Sequence, residues 1–346
     1  MASNIVGVDI GSTSLRAVEL EGPGNARPIL SRYHEVPLPE GSVKRTEVLE
    51  VNTVAAAFRR LWSEGGFAGK KVVLGIGGQS VISRDLTVPL MPLEQIRESL
   101  QFQAQDLIPV PVSEAVLDFY PIAEEPGEGP PMVRGLLIAA VRQAVTANIT
   151  AAMEAGLKPV QMDLVPFALN RAGRRKHLAG AVAQIDIGAN TTNMVICRDG
   201  VPHFVRIIPA GGDDVTRALM RRLDLSREKA EELKLGLGNT GAPEQPSRAA
   251  QDVIYGVAGE LLSSIRNTLA YFTAHSSVQI GSILLSGGGS RLAGLTKALA
   301  EMTRLEVIPV KTVDQIAISP RLAGSTRPDM LERFSVALGL ALGAAA

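Results

Sequence analysis

The feature that most constrains this chain is a duplication. Residues Val6 to Leu20 read VGVDIGSTSLRAVEL, and residues Ala183 to Cys197 read AQIDIGANTTNMVIC. Superimposed on Asp9 and Asp186, each is an apolar strand, an Asp-Ile-Gly corner, a few small polar residues and a second apolar strand. One copy would be a tight turn with a capping aspartate. Two copies in the same strand context point to two related lobes. Glycine at each tip lets the backbone approach an anion closely, and successive N–H groups there form a nest for phosphate. Ser12, Thr13, Ser14, Thr191 and Thr192 add hydroxyl donors. Asp9 and Asp186 sit where a carboxylate meets Mg²⁺, a cation that takes oxygen ligands and shares them with substrate phosphates.

Between and around the hairpins, strands and helices alternate. Strands are expected at Ile5–Ile10, Leu15–Glu21, Ile29–Pro37 and Val72–Ile76, with a helix at Val51–Glu64 whose apolar residues recur at helical spacing. Residues 81–157 then read strand, helix, strand, strand, helix, an inserted module. After the second hairpin comes a polar helical region, 213–271, interrupted by a loop at 236–246. The segment Ile283–Leu295, ILLSGGGSRLAGL, has the form strand, triple glycine, helix. There Gly287, Gly288 and Gly289 allow a flat ring or ribose to lie on the backbone, and the helix N-terminus favours phosphate. Glu231 and Lys234, three apart on one helix, read by themselves as a surface ion pair. A final helix is expected at Met330–Leu342.

Composition narrows the function classes. With 35 basic residues against 35 acidic ones in 346, no cationic surplus is available for nucleic-acid binding. A single cysteine, Cys197, cannot form an internal disulfide. Four scattered histidines give no zinc spacing. The opening MASNIVGVDIG has no signal-peptide layout, and no apolar run reaches the roughly 20 residues of a membrane span. These features read as a soluble cytoplasmic protein that reaches a membrane only through partners.

The order hairpin, hairpin, GGGS turn resembles the actin-like ATPase superfamily, an α/β, ribonuclease H-like, two-lobed fold. Asp9 to Ser14 matches its first phosphate loop and Asp186 to Thr192 its second. Ser286 to Arg291 matches its adenosine motif, Gly211-Gly212 the glycine pair after the second loop, and Ala230 to Lys234 the helix whose Glu and Lys reach adenosine. Within that superfamily, VISRDLTVP (81–89), QDLIP (105–109), LDFY (117–120), LLIAAVR (136–142), AGLKP (155–159) and DLVPFALNRA (163–172) resemble the PilM family, FtsA-like proteins of type IV pilus assembly. The likeness runs from Val6 to Gly343.

The resemblance implies a first lobe at 1–182 (subdomain 1A with an FtsA-type 1C insert at 81–157). A second lobe follows at 183–346 (2A with helical 2B near 213–271), and a C-terminal helix, 330–346, returns to 1A. It implies ATP and Mg²⁺ held by Asp9, Gly11, Ser12, Thr13, Ser14, Arg16, Asp186, Gly188, Asn190, Thr191, Thr192, Gly211, Gly212, Glu231, Lys234, Gly287, Gly288, Gly289 and Arg291, with Asp9 and Asp186 at the metal. As a partner it implies the N-terminal cytoplasmic tail of PilN, in a groove between the first lobe and the insert, within an oligomeric platform near the pilus motor ATPase. Many relatives carry Glu where this chain has Val165, a residue that cannot orient water, so slow or absent hydrolysis is expected. Asp163, two residues earlier, is the one substitute nearby. No catalytic residue is assigned. The alternatives are a polymerising FtsA-like division protein, which calls for a basic amphipathic C-terminal helix, and a small-molecule kinase on the same fold.

Overall fold

A computed structural model describes residues 4–125, 129–174, 180–237, 246–310, 315–322, 324 and 331–344. In chain order the first lobe contains β1 (Ile5–Ile10), β2 (Ser14–Glu21), β3 (Ile29–Pro37), a small hairpin of β4 (Val43–Lys44) and β5 (Glu47–Val48), α1 (Val51–Gly65) and β6 (Lys71–Ile76). The insert comprises β7 (Val81–Pro89), α2 (Leu93–Gln103), β8 (Ala115–Glu125) and β9 (Met132–Val141). The first lobe resumes with α3 (Arg142–Glu154), β10 (Lys158–Leu164) and α4 (Val165–Ala172). The second lobe holds β11 (Ala181–Ile187), β12 (Thr192–Arg198), β13 (Val201–Ile208), α5 (Gly212–Leu223), α6 (Arg227–Gly236), α7 (Arg248–His275), β14 (Ile280–Ser286), α8 (Leu295–Thr303) and β15 (Glu306–Pro309). β16 (Ala317–Ile318) and α9 (Ser335–Gly343) go back to the first lobe.

The duplication extends well past the hairpins. The first-lobe sheet runs β10-β6-β1-β2-β3-β16 and the second-lobe sheet β13-β12-β11-β14-β15. Read from the third strand inward, both follow one plan. A three-stranded antiparallel meander is joined by two parallel strands that arrive through helical crossovers. The central strands are buried on both faces, as a sheet covered by helices requires: β1 and β6 have Val6, Val8, Val72, Val73 and Leu74 at 0% exposure.

Three boundaries differ from the sequence reading. The sequence pattern groups α3 with the insert, yet its Ala151 and Ala152 pack into the first-lobe core beside Phe58 and Leu61. Its fully buried Asn148 clamps the β4–β5 hairpin, accepting from Val48 N (3.1 Å) and donating to Thr46 O (3.1 Å). The insert proper is thus the β7-β9-β8 sheet with α2 across it, around Leu100, Phe119 and Leu137. The helical region also divides. Ala250 and Ile254 of α7 join α5 and α6, whereas Leu261 to Phe272 lie on the second-lobe sheet. After the glycine run comes a 3-10 turn at Gly288–Arg291 in place of a helix entered directly, and α8 begins only at Leu295. Most of the expected 236–246 loop, the basic residues 175–177 and the expected helix start at Met330 lie outside the described residues; a 3-10 turn at Glu332–Phe334 leads into α9.

Two contacts fix how the parts sit. α9 is apolar around its whole circumference and is buried between α4 and the β1–β2 face. Gly339 lets it approach α4 so closely that a Cβ there would stand 1.9 Å from Ala168 O. The insert braces the lobes from behind. Val81, Leu136 and Ala140 share one apolar cluster with Ile76 of the first lobe and with Val195, Cys197 and Val205 of the second. Cys197 is buried there, which pushes its thiol far above the usual range and suits a small apolar filler.

Candidate nucleotide cleft

The two hairpin tips are built alike. Gly11 N–H donates to Ser14 O (3.1 Å) and Gly188 N–H to Thr191 O (2.9 Å), each closing a turn at the end of its lobe's first strand. The strand after each tip pairs in the same register, Asp9 opposite Arg16 and Asp186 opposite Asn193. Both tips open into one cleft of about 980 Å³, the largest of the cavities described, with Asp9 on one side and Asp186 on the other. That volume is at the upper end of small-molecule sites.

Of the nineteen residues expected to hold a nucleotide, seventeen line this cleft: Asp9, Gly11, Ser12, Thr13, Arg16, Asp186, Gly188, Asn190, Thr191, Gly211, Gly212, Glu231, Lys234, Gly287, Gly288, Gly289 and Arg291. Ser14 and Thr192 do not. Each begins a return strand and is covered by the third strand of its meander, Ser14 opposite Pro37 and Thr192 opposite Ile208. The Thr192 hydroxyl donates to Ala210 O (2.8 Å), so it shapes the loop before α5 instead of facing the cavity.

The glycines have distinct tasks. A Cβ on Gly287, whose φ is +90°, would stand 2.3 Å from Ile187 O, whereas one on Gly288 would meet nothing within 4 Å. Gly287 is required by the fold, and Gly288 leaves space open on the cleft wall. Under the second tip, Gly212 N–H donates to Gly188 O (2.9 Å) and Asp213 N–H to Ala189 O (2.8 Å), locking the start of α5 to the loop. Glu231 and Lys234 are more than a solvated pair. Lys234 Nζ donates to Glu231 Oε1 (2.8 Å), Thr216 Oγ1 (2.9 Å) and Gly212 O (3.4 Å), tying α6 to the first turn of α5.

Electrostatically the cleft floor is tense. Burial pushes the Asp9 carboxyl up to about 6; Arg16 opposes this, and the nearby Asp186 carboxylate adds to it. Asp186 is raised by the same burial, against the Ser286 hydroxyl that donates to it (2.8 Å) and the field of Arg16. Arg16 spans Asp9 Oδ2 (3.3 Å) and Glu35 Oε1 (3.0 Å), and Glu35 also pairs with Arg333 (2.7 Å) from the turn before α9. Two carboxylates on one cleft, each pushed toward its protonated form by desolvation, are a donor set that a divalent cation would relieve. Together with phosphate and water oxygens they fit Mg²⁺.

Among the lining residues that sequence reasoning missed, two bear on the chemistry. Thr46 sits on the β4–β5 turn, and its Oγ1 accepts from Gly77 N (3.3 Å). Asn193, at 3% exposure, has an Oδ1 with no hydrogen-bond partner, so it calls for a donor from within the cleft. Its signal was its place seven residues after Asp186. Val165 lines the cleft close to both Gly77 and Asn193. Asp163 does not replace it. Its carboxylate accepts from Leu164 N (2.7 Å) and is ion-paired to Arg171, which also donates to Gly339 O (2.9 Å), on the side of α9.

Comparison with known proteins agrees with this construction. The profile of the family described as type IV pilus assembly protein PilM matches residues 7–345. The chain belongs to the PilM family. A solved PilM–PilN type IV pilus biogenesis complex contains a chain 30% identical to this one, with a TM-score of 0.86 over 100% of this chain and 99% of that one. The cell division protein FtsA of Bacillus subtilis is 22% identical over 277 residues, covering 73% of this chain and 61% of its own. This chain thus spans about three fifths of that relative's length. MreB5 of Spiroplasma citri bound to ADP, 13% identical with a TM-score of 0.54 over 97% of this chain and 94% of that one, shares the fold. The fold is therefore the actin-like ATPase fold, carried by a PilM with FtsA-like relatives.

Proposed function

We propose that this chain is a nucleotide-binding adaptor of type IV pilus assembly. ATP with Mg²⁺ lies between the duplicated tips, and the cytoplasmic N-terminal tail of a PilN docks between the first lobe and the insert. The observation that carries the nucleotide reading is the meeting of Asp9 and Asp186 in one cleft that is also lined by both glycine-bearing hairpin tips. The PilN reading rests on the solved complex of a 30% identical PilM. An MreB5 of the same fold holding ADP adds support for the ligand class. No helix among the described residues is long and apolar enough to cross a membrane; docking on a PilN tail, supported by the solved PilM–PilN complex, is the proposed route to the cytoplasmic face of a membrane.

In such a site Mg²⁺ would supply charge compensation to the phosphates. Asp9 and Asp186 would hold it with its water, the two tips would bind phosphate oxygens, and Arg16 would balance the negative charge. Val165 supplies no acceptor for an attacking water, so turnover is slow. Titration with a fluorescent ATP analogue in Mg²⁺ and in EDTA tests this. Mg²⁺-dependent binding should weaken at least tenfold in Asp186→Ala while its circular dichroism stays native. Unchanged affinity would sink the site. Capture of the chain by a synthetic PilN tail, independent of nucleotide, tests the partner separately.

A further inference from the structure

β13 is the free edge of the second-lobe sheet: it pairs with β12 on one side and with no other strand among the described residues. Both of its faces are covered. Val205 and Ile207 pack toward the insert, while Phe204 and Ile208 pack toward α7. What remains open is the strand edge itself, at the bottom of a groove of about 740 Å³ that runs along residues 204–209. One wall is the insert, with Arg84 and Asp85; the other is α7, with Asn267, Thr268 and Tyr271.

An edge of unpaired N–H and C=O groups between two walls is the geometry that takes an added strand. The five residues of β13 along the groove, 204–208, span about 17 Å at roughly 3.3 Å each, enough for a short extended peptide. The groove's charge selects the occupant. Arg84 and Arg206 are exposed on it, and neither has an ion-pair partner among the described residues. Arg134 and Arg198 lie close by, paired with Glu125 and Asp199; burial, and then the field of these two arginines, holds the His203 imidazole below its usual range, with Asp199 and Asp85 opposing. Asp85 is the single carboxylate on the wall.

We propose that this groove docks an extended acidic segment of a partner protein, added as a strand on β13 with its carboxylates against Arg84 and Arg206. It lies between the insert and the second lobe, apart from the place assigned above to the PilN tail, so the two readings stand or fall separately. The probe is a fluorescein-labelled octapeptide alternating Glu and Val, titrated by anisotropy against the full chain. Expected are saturable binding, at least tenfold weaker binding of the Lys-for-Glu peptide, and a similar loss in the Arg84→Glu/Arg206→Glu variant with an unchanged melting curve. Added peptide should also slow amide exchange across residues 203–208. No saturable binding overturns the proposal, as does equal binding by the double variant or by a peptide with proline at its centre. Self-association of the chain that the double variant abolishes would give the groove to a second copy and overturn it as well.

Discussion

Asp9→Asn should make the nucleotide-free protein more stable while spoiling its cleft. Burial raises the Asp9 carboxyl from 3.8 to about 6. At about 1.4 kcal/mol per pKa unit, holding it ionised in the folded state costs about 3 kcal/mol. The sign follows from linkage. A raised acid binds its proton more tightly when folded, so its contribution to stability is full below 3.8 and is lost as pH rises through 6. Asparagine keeps the shape and drops the charge, and Arg16 retains Glu35 at 3.0 Å. The variant's advantage should therefore be complete at pH 8, about half as large at pH 5, and small by pH 4. Thermal melts of metal-free protein read this as a rise of roughly 5 °C or more at pH 8. Adding MgATP should reverse the ranking, since wild type gains from ligand and the variant gains little. A variant that melts below wild type at pH 8, or whose advantage is the same at pH 5 and pH 8, would refute the reasoning.

Other expectations follow from the same geometry. Mg²⁺-dependent ATP binding should weaken as pH falls below about 6, approaching tenfold per unit, because the proton and the cation compete for Asp9; titrations of the fluorescent analogue from pH 5 to 8 measure it. Gly287→Ala should fold poorly, with a Cβ 2.3 Å from Ile187 O at φ +90°, whereas Gly288→Ala should fold normally and bind nucleotide more weakly; solubility and calorimetry separate the two. Val165→Glu should raise single-turnover phosphate release at a cost in stability, as it buries an acid at 3% exposure beside Asn193. No gain in release would remove Val165 as the reason for slow turnover.

The tips were legible in the sequence because the same local solution is written twice, and repetition is visible without any contact information. β13 was not. Pro202, His203 and Arg206 break its alternation, and only its equivalence to β3 in the first lobe would have disclosed it. That omission also explains Thr192, whose hydroxyl looks available until β13 is laid beside its hairpin; for Ser14 the strand Ile29–Pro37 was legible, but its pairing with the first hairpin was not. The Glu231–Lys234 pair has the same local pattern whether solvated or structural, and Thr216, fifteen residues upstream of Glu231, decides between the two. Likewise, helical spacing in α3 shows that it has a buried face without showing which core receives it.

Placing α9 inside the first lobe orders events during synthesis. Residues 335–343 fill a space between α4 and two strands made more than three hundred residues earlier, and Val336 is itself part of the cleft wall. On the ribosome, the second lobe can condense from contiguous chain while the first stands with an open apolar seam. Nucleotide thus finds no finished floor until translation has delivered that helix, and a nascent chain needs shielding for longest on the half that was made first.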